Sequence, residues 1–419
     1  MPPRRPTPEE PAEPGLLITA PRLVPARAGS GVLAPGYVAI AGGLVTEVGQ
    51  GPPPRRADLA LDRGVLVPGL VDLQVNGYSG VQLMTAGAAG WTAVASRLAE
   101  TGTTAYMPTF ITSPFAELIA SLRSAAGILT ELPAGGARVL GVHVEGPFIA
   151  PGRRGAHHEA WIIPPSPAAV AELLAAGAGV VSLVTLAPEV DGGMAAVEQL
   201  TAAGVLVSVG HSDATAAQVA AAASAGARMV THLYNAQRPL HHREPGVVGQ
   251  ALTDPRLTSG LIADLRHVAA QACAIAFAAA PGRIAIVTDA AACAGMPPGR
   301  YLLGGEPIEL PPGSGEPPVR ADGTLAGSAL RMDAGVANMV AAGVGLAAAV
   351  AAASRVPADL AGRPDLGRIA PGAAADLTWL GDDLRAKATW VAGERVYPVE
   401  QVAGRAAPPG PRRMWGITR

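Results

Sequence analysis

Residues 205–234 read VLVSVGHSDATAAQVAAAASAGARMVTHLY. Two apolar, β-branched runs, 205–211 and 228–234, flank TAAQVAAAASAG, a stretch of helical composition. Apolar runs of this length joined by a helix suit parallel strands buried on both faces. Each run carries a histidine near its end, His211 in the first and His232 in the second. The same texture extends in both directions. Runs at 65–75, 104–110, 139–145 and 180–187 precede this unit, and runs at 257–264 and 283–289 follow it. Helical segments such as WTAVASRLAE, PFAELIASLRSAAGIL and SPAAVAELLAA lie between most of them. Eight β/α units predict an α/β protein with a closed (β/α)8 TIM barrel, placed over residues 67–366. The main alternative, a doubly wound open sheet, usually carries a Gly-rich phosphate loop after its first strand, and VDLQVNGYSG is not that fingerprint.

Outside the barrel the texture changes. GLLITAPRLV, GYVAIAGGLVTEVG and DLALDRGVLVPG are short β-like runs punctuated by Gly and Pro, and GAAADLTWLG and ATWVAGERVYP repeat that style near the end. Residues 15–66 and 367–419 are therefore expected to build one small β-sandwich from both termini, after a Pro- and charge-rich disordered tail over 1–14.

The bulk properties narrow the function. The 419 residues allow one large domain and a smaller one, and 49% apolar residues can fill a sizeable core. With a net charge of -2 and a pI near 6.5, no basic excess exists to attract nucleic acid or an anionic membrane. No apolar run reads as a signal peptide or a membrane span, so a cytoplasmic location is expected. Cys273 and Cys293 imply no disulfide framework and read as buried small hydrophobes. The sole lysine, Lys387, leaves almost no source for a Schiff base or a carboxylated lysine bridging two metals.

Most of the apolar runs finish on polar residues: Gln74 and Asn76, Glu145, His211, His232, Asp264 and Asp289. In a parallel barrel the C-terminal strand ends face the active site, so this set converges on one mouth. Glu145, His211 and His232 supply one carboxylate and two imidazoles, a combination that suits Zn²⁺ with a fourth position open to water. His143 shares a strand face with Glu145 and reads as a supporting or barrel-interior group, with an extra ligand as the alternative. Asp289 can act as a base beside an activated water, or can cap a following helix.

HVEGPF followed by GAH, then GHSDAT, THLYNA, REPG, IADLRH, VTDA and GTLAGSAL occur in an order and spacing that resemble the N-acetylglucosamine-6-phosphate deacetylases of the amidohydrolase superfamily. PGLVDLQVNG and GRIAPGAAADL resemble that family's barrel start and sandwich return. The resemblance spans nearly the whole chain from residue 16. It implies metal-dependent hydrolysis of the acetyl group from a phosphorylated amino sugar. It assigns Glu145, His211 and His232 to the metal and Asp289 to the base and acid. It also places His157 at the acetyl carbonyl, His267 at the sugar, and Asn235 and Ala236 at the phosphate. Arg243 would reach the phosphate from a neighbouring subunit, which implies a homodimer.

Gln74 and Asn76 stand where many barrel amidohydrolases carry HxH for a second metal. Amides bind water better than metal, so one divalent ion per chain is expected, with Zn²⁺ first and Fe²⁺, Mn²⁺ or Co²⁺ as alternatives. His158 and the pair His241–His242 match no family role and read as solvated loop residues, and Arg153 and Arg154 as a surface pair. Leu265 and Arg266 depart from the family's small or apolar residues beside His267. Another N-acyl sugar phosphate, an N-acyl amino acid, or a non-catalytic barrel remain as alternatives.

Overall fold

The computed structural model describes residues 15–27, 29–313 and 315–398. The tail expected over 1–14 and the last part of the expected sandwich, 399–419, lie outside them.

Eight parallel strands form the barrel: β1 (Leu70–Val75), β2 (Thr103–Ile111), β3 (Val142–Glu145), β4 (Val181–Leu186), β5 (Leu206–Val209), β6 (Met229–Val230), β7 (Thr258–Ile262) and β8 (Ile284–Val287). They pair in chain order from β1 to β8, and a short segment, Arg138–Val139, adds to β2 ahead of β3. Closure runs through a bridge, Val75 to Ala290, with Asp289 N donating to Gln74 O at 2.9 Å and Asn76 N to Ala290 O at 2.8 Å. Asp72 reinforces that seam: buried, it accepts from Thr288 N, Thr288 Oγ1 and Gln74 N. Burial pushes its pKa up to about 7, against these hydrogen bonds.

A helix follows every strand, the last being Met332–Ala341 after a long insertion that carries the hairpin Gly299–Leu303/Glu306–Leu310. Local sequence starts several of these helices. Ser166 accepts from Ala169 N with Pro167 in the first turn, and Thr215 forms a capping box with Gln218. β1 and β2 are buried at every position, as strands covered on both faces should be.

The run 65–75, expected as one strand, is two. Val65–Pro68 pairs antiparallel with Leu377–Leu380 outside the barrel, and β1 starts only after Gly69. A Cβ at Gly69 would lie 2.1 Å from Thr104 Oγ1, so the chain can change sheets there only without a side chain. The outer sheets combine strands from both ends of the chain: 16–20, 36–41, 44–50 and 59–60 in one, and 65–68, 377–380, 386–391 and 394–397 in the other. Ile18, Val38, Ile40, Leu66, Leu377 and Trp390 share one apolar core between them. Among the described residues, no helix is long and apolar enough to cross a membrane.

Candidate metal centre and active site

At the C-terminal end of the barrel, Glu145 closes β3, while His211, His232 and Asp289 lie two residues beyond β5, β6 and β8. These last three have positive φ, 48°, 28° and 52°. A non-glycine residue rarely adopts that region, and clustered cases mark sites where surrounding structure overrides local preference. Each such residue departs from strand geometry where its side chain joins the cluster.

Glu145, His211 and His232 are buried, and their ligand atoms lie within 4.8 Å of one another. Glu145 Oε1 is 2.9 Å from His232 Nε2 and 3.3 Å from His211 Nε2, and the two imidazole nitrogens are 3.1 Å apart. Three lone-pair atoms converging without apolar filling between them fit a divalent cation. His211 Nδ1 lies 2.9 Å from the Arg153 carbonyl; donation to it sets the tautomer that leaves Nε2 as a ligand. Burial opposes the Glu145 charge, but the His211 and His232 rings facing it prevail and hold its pKa well below the usual range. Burial likewise opposes protonation of His232, and Glu145 outweighs it, raising that pKa.

Gln74 Nε2 donates to both Glu145 Oε1, at 3.0 Å, and Asp289 Oδ1, at 3.1 Å, so a single amide holds the two carboxylates together. Asn76 Nδ2 donates to the same Asp289 oxygen at 2.7 Å. The amide oxygens of Gln74 and Asn76 are buried and have no hydrogen-bond partner among the described residues. Burial, then the charge of Glu145, pushes the Asp289 pKa up to about 7. The helix-cap alternative for Asp289 fails, since a hairpin insertion follows it and the next helix begins at Met332.

Asn76, Glu145, His211, His232 and Asp289 line a cavity of about 250 Å³ together with His157, Asn235, Ala236 and His267. His157 Nδ1 is 2.7 Å from Thr112 Oγ1, and its ring stands edge-on to His211 with centroids 4.3 Å apart. Burial, then the neighbouring His211 charge, pushes the His157 pKa down to about 3, so the ring is neutral at ordinary pH. His267 Nδ1 is 2.6 Å from Asp264 Oδ2, which places that strand-end carboxylate behind the ring. Asn235 Nδ2 donates to the His232 and Leu233 carbonyls.

Other sequence candidates fall elsewhere. Arg243 is exposed, its guanidinium is 3.0 Å from His242 Nε2, and it is not part of the cavity lining. His143 sits inside the barrel between Thr109 and Thr185, and burial lowers its pKa to about 4. His158 stacks on Trp161 and is only half-exposed, a correction to its reading as a solvated loop residue. His241 and His242 are exposed as expected. Arg153 pairs with Asp213, Arg154 with Glu159, Arg266 with Glu316 and Lys387 with Asp383. Cys273 and Cys293 are both buried.

Sequence reasoning missed Ile111, Ile262, Leu303 and Leu325, which also line the cavity, and Thr112, which holds His157. Ile111 and Thr112 follow the TAYMPTF run directly and were open to inspection, whereas Leu303 enters from a hairpin that no local pattern ties to the site.

Residues 65–396 match the amidohydrolase family. The chain is 38% identical over 367 residues to an N-acetylglucosamine-6-phosphate deacetylase of Bos taurus, covering 83% of this chain and 87% of that protein. It is also 38% identical over 336 residues to an N-acetylgalactosamine-6-phosphate deacetylase of Escherichia coli O157:H7, covering 80% and 88%. Among solved structures, an aspartate-to-alanine mutant of the Mycobacterium smegmatis N-acetyl-D-glucosamine-6-phosphate deacetylase, in complex with N-acetyl-D-glucosamine-6-phosphate, superposes with a TM-score of 0.86. That protein is 34% identical, and the match covers 91% of this chain and 99% of the other.

Proposed function

The chain belongs to the amidohydrolase family, and from that premise we propose that it hydrolyses the acetyl group of N-acetyl-D-glucosamine 6-phosphate, giving D-glucosamine 6-phosphate and acetate. The observation that carries this reading is the Gln74 amide joining the Glu145 of a three-residue metal cluster to a second buried carboxylate, Asp289. Glu145, His211 and His232 would hold one divalent cation, Zn²⁺ by the chemistry of the donors, which supplies Lewis-acid activation of water and of an amide carbonyl.

Asp289 takes the proton of the attacking water and returns it to the departing glucosamine nitrogen. Buried beside the metal cluster and held by Gln74 and Asn76, its carboxylate is placed to accept a proton and give it up again. His157, neutral, accepts from the Thr112 hydroxyl at Nδ1 and donates its one N–H, at Nε2, to the acetyl oxygen as negative charge develops there. Gln74 and Asn76 orient Asp289, and Asn76 lines the cavity that the attacking water would enter. Asp264 accepts from His267 Nδ1 and leaves Nε2 for a sugar hydroxyl, while Asn235 and Ala236 face the phosphate end. Arg243, exposed and outside the cavity of its own chain, fits a role at the phosphate of a neighbouring subunit in a homodimer.

The galacto epimer is the second substrate to consider, because a relative of equal identity carries that name. Acetate release from both phosphorylated epimers and from unphosphorylated N-acetylglucosamine, with metal content measured on the same sample, tests the proposal. Turnover of the phosphorylated gluco sugar in the metal-loaded protein is expected. No acetate from the phosphorylated gluco sugar would overturn it, and release from the galacto epimer alone would favour the second reading.

A further inference from the structure

Asp72, on β1, is a fully buried carboxylate that the chemistry above leaves unused. Three neutral donors hold it. Thr288 Oγ1 donates to Oδ2 at 2.5 Å, while Thr288 N and Gln74 N donate to Oδ1 at 3.1 and 3.2 Å. Burying a carboxylate is costly, and an apolar side chain of similar volume would close the β1–β8 seam at least as well. What the carboxylate adds is direction, because its two oxygens fix where each donor sits.

Those donors flank the base. Thr288 directly precedes Asp289, and Ala290 N donates to the Thr288 hydroxyl at 3.2 Å. From the other side Ser328, where the chain returns from the hairpin insertion, donates from Oγ to Thr288 O at 2.5 Å and from N to Asp289 O at 2.7 Å. Asp289 N donates to Gln74 O. Every backbone donor and acceptor of Thr288 and Asp289 is thereby tied to Asp72, Gln74 or Ser328. This accounts for the φ of 52° at Asp289, a conformation that persists only where its surroundings impose it. Asp72 also fixes the backbone of Gln74, whose side-chain amide holds Asp289 Oδ1.

We infer that Asp72, acting with Thr288 and Ser328, is a positioning residue for the base: it sets the turn that carries Asp289 and the strand that carries its amide partner. None of the three lines the cavity, so each acts through Asp289. The assignment rests on the reading of Asp289 as the base.

The test measures steady-state acetate release, metal content and melting temperature on a set of variants. Asp72→Ala and Thr288→Val should each lower kcat tenfold or more, with KM and metal content within threefold of wild type. Asp72→Asn keeps Oδ1 for both backbone donors and Thr288→Ser keeps the hydroxyl, so both should stay within threefold. Thr288→Val remains informative where Asp72→Ala fails to fold. The deciding measurement combines Thr288→Val with Asp289→Asn. Once residue 289 cannot accept a proton its exact placement no longer matters, so the double variant should turn over within twofold of Asp289→Asn alone. A lower melting temperature with kcat per folded chain unchanged would make the clasp a seam and nothing more. Losses that multiply in the double variant would mean general distortion. Either result overturns the inference. Activity of Asp289→Asn within tenfold of wild type would instead remove the base reading, and the positioning role with it.

Discussion

Replacing Asp289 with Asn separates the base from its scaffold. Both donors that hold this side chain, Gln74 Nε2 and Asn76 Nδ2, converge on Oδ1, at 3.1 and 2.7 Å. An amide oxygen in that position accepts both bonds, so Asp289→Asn should keep its place and leave Glu145, His211 and His232 undisturbed. It cannot accept a proton. General-base catalysis contributes about 10²–10⁴-fold, or about 2.7–5.5 kcal/mol of barrier, and kcat should fall by that range with metal content unchanged. A second consequence concerns stability. The Asp289 pKa is raised from 3.8 to about 7 in the fold, so the native state binds the extra proton in that window. The folded state of the metal-free protein therefore loses stability as pH rises between those values, and the loss is complete above about 7. The variant cannot ionise and escapes it. Chelated Asp289→Asn should melt higher than chelated wild type at pH 8, with the difference vanishing near pH 4. The assays are steady-state acetate release, metal analysis and thermal melts across pH. Activity within tenfold of wild type would place the base elsewhere, and loss of metal would make Asp289 a ligand.

Three further outcomes follow from the site. Metal analysis should approach one divalent ion per chain, and chelation should lower the melting temperature; a metal at a hundredfold its Kd contributes about 2.7 kcal/mol, while a stoichiometry near two in active protein would contradict the role of Gln74 and Asn76. Thr112→Val strips the buried His157 Nδ1 of its partner, a loss of about 1–3 kcal/mol; kcat should drop tenfold or more with KM little changed, Thr112→Ser should recover it, and an unaffected rate would detach His157 from catalysis. Arg243→Ala should raise KM for the phosphorylated sugar by about tenfold, as loss of a charge-assisted contact of about 1.5–3 kcal/mol predicts; subunit exchange with Asp289→Asn should restore activity, and its failure despite exchange would confine Arg243 to its own chain.

The amidohydrolase barrel and its polar strand ends were legible in the chain because both are short-range patterns. A strand buried on both faces must be apolar along its length, and a carboxylate or imidazole at its end stands out against that background. Glu145, His211, His232 and Asp289 could be named in this way, and the capping residues Ser166 and Thr215 mark helix starts for equally local reasons. Tertiary structure decided the rest. Pro68–Gly69 punctuates 65–75, but that the chain changes sheets there is set by Thr104, on the neighbouring strand. The left-handed turns at His211, His232 and Asp289 oppose local preference and are held by the assembled cluster. Gln74 reaches partners 71 and 215 residues away, and Leu303 meets Ile111 through a hairpin inserted after the last barrel strand. Contacts of that range depend on where the closed barrel and its insertions bring distant segments together, which short-range periodicity does not record.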